Sequence, residues 1–343
     1  MCAIGRAAGL DVVGVTTAAP LETTRRHLEA RKARGLHGGM QFTYRNPARS
    51  TEPGRILDGA AAVVVGARSY RRSEPPRPED RSVGRVASYA REHHYDDLRA
   101  ALGAIATHLD EAGHRARVVA DDNALVDRAV AQRAGLGFYG KNANLLIPGE
   151  GSWYVLGGVV TDATLEPTDH TVEDGCGSCT RCLDACPTGA IVAPGLVDAR
   201  RCLAWLVQDT GPIPVEHREA LGDRLYGCDD CQEVCPPNHR SDRVEPPPPA
   251  APEAMAWVDL VELLEATDDE LLARHGTWYV PRRDPRYLRR NALVVLGNVA
   301  DPADVRARRV MDRYESGPDP LLAEHAAWAR RRLAQRGSAV SPA

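Results

Sequence analysis

Short apolar runs and longer stretches of helical period alternate along the first half of the chain. "DVVGVT" (11–16), "AAVVVGA" (61–67) and "RARVVA" (115–120) are brief, rich in valine and bounded by polar or turn residues, which predicts buried strands. Between them, "DDLRAALGAIATHLDEAG" (96–113) carries apolar residues at helical spacing and closes on a glycine, as does "NALVDRAVAQRAG" (123–135). "GSWYVLGGVVT" (151–161) predicts one more strand. The pattern makes residues 1–170 an α/β domain. Further on, "RSDRVEPPPPAAPEAM" (240–255) reads as a proline-rich linker or surface loop. Beyond it, apolar periods at 258–274, 284–299, 303–315 and 319–335 predict helices in antiparallel pairs, resembling a short HEAT-like array. The division that follows is an α/β domain (1–170), a cysteine-rich module (171–240), a linker (241–257), a helical region (258–336) and a disordered tail (337–343).

Composition adds a class and a compartment. The 343 residues are 43% hydrophobic and 26% charged, with no apolar run long enough to cross a bilayer. The first thirty residues lack the charged head and apolar middle of a signal peptide, and Arg25–Arg26 lacks the apolar segment of a twin-arginine signal, so a cytoplasmic protein is the expectation. The net charge of −4 does not mark a nucleic-acid binder. The charge is uneven, however: between Pro281 and Arg336 thirteen arginines face seven acids. Dense arginine on helices suits a surface that holds a phosphate backbone, and suits equally a solvated face in an arginine-rich proteome. The latter reading has support, since the chain has 41 arginines and only two lysines, Lys32 and Lys141.

Nine cysteines narrow the chemistry. Eight lie between residues 176 and 235, and Cys2 stands apart with no assigned role. A cytosolic chain does not keep a disulfide framework. Zinc wants two pairs of ligands. "CGSCTRCLDACPTGA" (176–190) instead has the C-x2-C-x2-C-x3-C-P spacing of bacterial ferredoxins, in which the cysteine before proline serves the other cluster. That spacing demands more cysteines downstream. Cys202 and "GCDDCQEVCPPN" (227–238) supply them. The predicted sharing is Cys176, Cys179, Cys182 and Cys235 for one [4Fe–4S] cluster, and Cys186, Cys202, Cys228 and Cys231 for the other.

"GLGFYG" (135–140) spells a dinucleotide-binding glycine motif, but a helix precedes it and a strand-like "NANLLI" follows, the reverse of what that motif requires. The glycines fit tight turns and close backbone approach to another flat ligand. Asp121 and Asp122 follow a predicted strand. There a carboxylate with a raised pKa could give up a proton, or either could cap the next helix. Arg128 could pair locally or reach a substrate phosphate, and Lys141 and Asn142 offer donors near the glycine turn. His93 and His94, adjacent at a helix start, point different ways and read as surface residues.

These residues resemble the epoxyqueuosine reductase family. The resemblance runs over nearly the whole chain, through "GCGSCTRCLDACPTGAIVAPGLVDARRCLAWL" (175–206), "RLYGCDDCQEVCPPN" (224–238), "AGLGFYGKNANLLI" (134–147), "YLRRNALVVLGN" (287–298) and "PLLAEHAAWA" (320–329). It implies a nitroreductase-like, corrinoid-binding α/β domain, a ferredoxin-like double-cluster module and a HEAT-like helical tail that holds tRNA. It also implies the reaction: reductive removal of the epoxide oxygen of epoxyqueuosine at the tRNA wobble position, giving queuosine. Two [4Fe–4S] clusters, cobalamin and an external donor such as ferredoxin or flavodoxin supply the electrons. Asp121 stands at the position of the family's proton donor. By position, cobalamin rests against Asp121, Leu145, Leu156, Ala204, Cys228, Asp229 and Asp230, while Arg128 and Lys141 contact substrate. The resemblance implies a monomer that acts away from membranes.

Three positions depart from the family pattern. Pro237 replaces a usual tryptophan, "HYD" (94–96) exchanges the acid and imidazole of the usual D-Y-H, and Ala120 replaces a usual valine. The changes at His94, Asp96 and Pro237 leave the cluster motifs intact and bear on the substrate. The alternatives are a reductive-dehalogenase-like or other corrinoid iron–sulfur reductase with a different substrate, and a ferredoxin-like electron carrier without cobalamin.

Overall fold

A computed structural model describes residues 1–168 and 171–340. The chain forms two compact units that interleave along the sequence. One comprises residues 1–72, 93–200 and 230–248, the other 73–92, 201–229 and 249–343. A linear division of the sequence does not express this interleaving.

The first unit is built on a four-stranded sheet in the order Val12–Thr17, Ala62–Ser69, Tyr154–Thr161, Ala116–Ala120. Every pairing in it is antiparallel, with Val15 opposite Val64, Val64 opposite Val159, and Val118 opposite Val159. The central strands are apolar on both faces: Val63, Val64, Val65, Val159 and Val160 are wholly buried. One face is covered by the His94–Glu111 helix, which buries Leu98, Ala101, Leu102, Ile105 and Leu109 at spacings of three and four. Asp96 and Asp97 in its first turn complement the helix dipole, and Gly113, at φ +87°, ends it. Gly157 lets this helix close on the sheet, because a β-carbon there would stand 2.8 Å from Leu102 and 2.9 Å from Ala120. Full burial of a leucine such as Leu102 contributes about 2 kcal/mol.

The second unit has its own core, centred on Leu260, Leu293, Leu296, Met311 and Ala326. Its three-stranded sheet places Val83–Val86 between Arg224–Tyr226, in parallel, and Trp257–Asp259, antiparallel. Val83–Val86 therefore leaves the block of residues 1–170 in which the sequence places it. The apolar period at 258–274 resolves into two helices, Leu260–Glu265 and Asp268–His275, because Thr267 restarts the chain with a capping box to Glu270. The other periods become the helices Arg286–Val299, Val305–Glu315 and Pro320–Val340. A β-carbon at Gly297 would stand 2.7 Å from the Ala329 backbone, so glycine permits the first and last of these to approach closely.

Two boundaries differ from the sequence reading. Residues 241–244 of the expected linker finish the Pro236–Val244 helix, with Pro236 and Pro237 in the first turn, where a missing N–H costs nothing. The last helix runs to Val340, so residues 337–340 of the expected disordered tail are helical, while 341–343 lie outside the described residues. Among the described residues no helix is long and apolar enough to cross a membrane.

Candidate functional site

The first unit brings four thiols together. The loop from Cys176 folds back on itself through the Cys179 N–H to the Cys176 carbonyl (3.0 Å), with Gly177 at φ +48°, and leads into the one-turn Arg181–Asp184 helix. Cys235 sits at the start of the Pro236–Val244 helix, its N–H bonded to the Gln232 carbonyl at 3.0 Å. Burial, and then the neighbouring Cys176, Cys182 and Cys179, push the Cys235 thiol up to about 11. Cys182 is raised by burial and then by Cys176 and Cys179. The neighbouring sulfurs thus disfavour ionisation of Cys182 and Cys235, and a cation bound among them would favour their thiolates. This is the predicted first set: Cys176, Cys179, Cys182 and Cys235.

The remaining cysteines fall in both units. Cys186 and Cys231 belong to the first, and the Cys186 sulfur accepts the Ala190 N–H at 3.2 Å. Cys202 and Cys228 belong to the second. Cys202 is the residue before the Leu203–Leu206 helix, and Cys228 follows Gly227, which turns the chain at φ +76°.

The glycine motif packs against the cysteine loop. Phe138–Tyr139 and Leu145–Leu146 form a small antiparallel hairpin, and Phe138, Leu146, Cys235 and Cys176 share an apolar cluster. A β-carbon at Gly137 would lie 2.3 Å from the Leu146 carbonyl oxygen. At Gly137 the close approach that glycine permits is within the hairpin. Lys141, expected as a substrate contact, turns its ammonium onto the cysteine loop, donating to the carbonyls of Gly177 (2.6 Å) and Cys179 (3.0 Å). Asn142 donates to the Cys231 carbonyl at 3.1 Å. The Lys-Asn pair therefore braces two cysteine segments.

Asp121 ends the Ala116–Ala120 strand in the left-handed region, at φ +54°, a conformation that costs a non-glycine residue about 1 kcal/mol and gathers at functional sites. Its carboxylate is half exposed and lies 3.8 Å from the Arg99 guanidinium. Partial burial raises its pKa, Arg99 opposes that, and Asp127 and Asp122 reinforce it. Asp122 accepts the Ala124 N–H at 2.8 Å and closes a turn. Neither residue caps a helix, because the next one starts only at Asp127, after Val126. Asp127 is itself raised by burial, against Arg128. Tyr95 is raised by burial and by Asp127 and Asp121, and the Arg99 guanidinium lies 5.8 Å from its ring centroid. Tyr139 is pushed up to about 12 by burial. Arg128 is exposed and donates to the Ala143 carbonyl at 3.2 Å.

Sequence reasoning missed Tyr95, Arg99 and Asp127 in this cluster. The signal was the i, i+4 spacing of Tyr95 and Arg99 on the face of the helix next to the Asp121 turn.

Among the positions assigned to cobalamin, Leu145 and Leu156 share the apolar core of the first unit; Asp121 and Asp230 are outside that core but in the same unit. Ala204, Cys228 and Asp229 belong to the second, where the Asp229 carboxylate accepts the Ser88 N–H at 2.7 Å.

Of the departures from the family pattern, His94 is buried against the Tyr70 ring, 5.8 Å between centroids, because its position faces the sheet. The surface reading holds for His93 alone. Asp96 is exposed and pairs with Arg99 at 3.2 Å.

Most arginines of the basic region have internal partners. Arg286 pairs with Asp284 and Asp319, Arg289 with Asp268, Arg306 with Glu265, and Arg330 with Asp312 and Glu315. Arg290 is wholly buried. Arg282 and Arg283 differ: both are exposed and both are left-handed, at φ +55° and +53°.

Comparisons with known proteins identify relatives of the whole chain. Residues 175–238 match the family model for a 4Fe–4S double cluster binding domain. The epoxyqueuosine reductase of Bacillus anthracis is 32% identical over 95% of this chain and 86% of its own length. An epoxyqueuosine reductase solved with an epoxyqueuosine-modified tyrosine tRNA stem loop superposes with a TM-score of 0.86 at 32% identity, over 96% of this chain and 88% of that one. The Bacillus subtilis enzyme, solved with a catalytic aspartate loop swung out of its active site, gives 0.84 at 32% identity over the same shares. On this similarity the chain belongs to the epoxyqueuosine reductase family.

Proposed function

We propose that this protein reduces epoxyqueuosine at the wobble position of tRNA to queuosine. The observation that carries the reading is the near-full-length match to the enzyme solved with its modified stem loop. The overall change consumes two electrons and two protons, breaks both carbon–oxygen bonds of the epoxide and releases the oxygen as water. The chain must therefore deliver a proton to an oxygen that is a poor leaving group as an alkoxide.

Asp121 is the group we assign to that step. It sits in a left-handed turn directly after the strand, half exposed, and its raised pKa keeps the proton nearer to the operating pH. Arg99 and the neighbouring acids act in opposite directions on it, so their balance tunes the donor. Arg128 at the same end of the sheet is assigned to substrate.

The eight clustered cysteines hold two [4Fe–4S] clusters in the predicted sharing, and family membership brings cobalamin. Cobalamin supplies, when bound, the reducing centre for the epoxide carbons; Asp121, Leu145, Leu156, Ala204, Cys228, Asp229 and Asp230 would hold it. The nitroreductase-like description of the first unit and the HEAT-like description of the helical region belong to this reading, as do a monomer in the cytoplasm and an external ferredoxin- or flavodoxin-type donor. We assign tRNA contact in the helical region to Arg282 and Arg283 rather than to the paired arginines around them.

The test is anaerobic incubation of cluster- and cobalamin-loaded protein with epoxyqueuosine-containing tRNA and a low-potential reductant, nucleosides being read by mass spectrometry. Conversion to queuosine is the expected result. No conversion by fully loaded protein would move the substrate assignment to another corrinoid-type reduction.

A further inference from the structure

Arg290 and Asn291 are consecutive, wholly buried residues of the Arg286–Val299 helix, in the core of the second unit. The Arg290 guanidinium donates to the carbonyls of Leu206 (2.9 Å), Asp209 (2.6 Å) and Gly211 (2.5 Å), and to the Asn291 side-chain oxygen (2.8 Å). No carboxylate is among these partners. Burying a cation against neutral carbonyls is costly, and an apolar side chain would fill the same space without desolvation. What only the guanidinium can do is fix several backbone carbonyls at once with its rigid fork.

Those carbonyls have a common position. Leu206 ends the short Leu203–Leu206 helix, and Asp209 and Gly211 lie in the loop after it; Cys202 stands one turn away, at that helix's start. Asn291 donates to the Val207 carbonyl at 2.8 Å and to the Leu225 carbonyl at 3.3 Å. Leu225 lies in the Arg224–Tyr226 strand that leads through Gly227 to Cys228. On the far side of Cys228, Asp229 is held by the Ser88 N–H. Two cysteine segments that are remote in sequence are thus referred to one turn of one helix.

We propose that Arg290 and Asn291 are positioning residues that set Cys202 and Cys228 at the separation a shared [4Fe–4S] cluster requires. The inference rests on the cluster reading above and deepens it. Arg290 spaces the Cys202 segment, Asn291 ties that spacing to the Cys228 segment, and neither touches Cys176, Cys179, Cys182 or Cys235 in the other unit.

The test reads clusters, not turnover. Asn291→Ala, Arg290→Met and the milder Arg290→Lys are reconstituted anaerobically beside Cys202→Ala, with iron content, electron paramagnetic resonance of the reduced protein and circular dichroism recorded for each. Cys202→Ala identifies the signal of the cluster that depends on Cys202. For Asn291→Ala and Arg290→Met we expect iron to fall from about eight toward about four per chain, with that same signal lost, the other retained and the helical signal unchanged. Arg290→Lys, which keeps the charge but not the fork, should lose less. Should Cys202→Ala keep both clusters, the cluster sharing itself fails. If it loses one while the variants at 290 and 291 keep both with unaltered spectra, only the positioning inference fails. Loss of both signals together in Asn291→Ala or Arg290→Lys would make the pair a general support and overturn it too.

Discussion

The Arg99 guanidinium stands 3.8 Å from the Asp121 carboxylate and 3.4 Å from the Ala120 carbonyl, so one side chain of the His94–Glu111 helix meets both the strand end and the left-handed turn. A cation at that distance favours the ionised acid, whereas partial burial, Asp127 and Asp122 favour the protonated one.

Removing the cation has a definite sign. In Arg99→Met the Asp121 pKa rises further, and a proton donor with a higher pKa stays protonated to higher pH. The alkaline fall of the rate should therefore move upward in pH relative to the wild type, as read from single-turnover rates across pH. An unmoved or downward-shifted profile would detach Arg99 from the donor.

Lys141 makes a second prediction. Its ammonium holds the carbonyls of Gly177 and Cys179, so Lys141→Met should loosen the Cys176–Cys182 loop. Iron retention during exposure to a chelator should fall several-fold, the loss beginning with the cluster assigned to Cys235. A substrate contact would instead change the Michaelis constant with iron intact.

Arginine partnership predicts which substitutions matter for RNA. Changing Arg282 and Arg283 together to serine should weaken tRNA binding and lower the slope of log affinity against log salt by about 1 to 2, at roughly 0.7–0.9 for each phosphate no longer neutralised. Arg289→Ser, which removes a partner of Asp268 and of the Ala266 carbonyl, should leave the slope unchanged. Equal effects from both variants would argue for a diffuse basic surface.

Acid stability follows from two buried imidazoles in the second unit. Burial, and then Arg274, holds His275 near 4; burial, and then Arg218, does the same for His325. Both lie below the 6.5 of a free histidine, so between about pH 6.5 and pH 4 the unfolded chain binds protons that the folded chain refuses. Their contribution is complete above that window and is lost as pH falls through it. Denaturation at pH 7, 6, 5 and 4 should show the decline, and His275→Gln should flatten it.

The glycine under Leu102 sets a steric prediction. Gly157→Ala would place a β-carbon 2.8 Å from Leu102 and 3.0 Å from the Val119 carbonyl, with little room to yield in the sheet. Destabilisation of about 1–3 kcal/mol is expected by chemical denaturation.

Local signals made much of this protein legible in its sequence. The valine runs became the central sheet, and cysteine spacing alone grouped Cys176, Cys179, Cys182 and Cys235, which the fold brings together. The G-x-G-x-x-G context, a helix before and a strand-like segment after, was equally readable, though not that the other strand of the pair, Phe138–Tyr139, lies inside the motif. Long-range partnership was not. Val83–Val86 is too short to announce itself and is a strand only because residues 224–226 and 257–259 flank it. The tasks of Lys141 and Arg290 are set by carbonyls 36 and more residues away, which no window along the chain contains. The same applies to His94, whose burial depends on a sheet face formed by distant strands.

The central claim is that Asp121 gives the proton to the departing oxygen. The most direct measurement is the anaerobic single-turnover rate of epoxyqueuosine-containing tRNA with wild-type protein and Asp121→Asn, matched for iron and cobalamin content. At matched loading, tRNA binding should be unchanged and the rate lowered by about 100-fold or more in the variant, the scale of a lost general acid. An Asp121→Asn protein that converts epoxyqueuosine at the wild-type rate would contradict it.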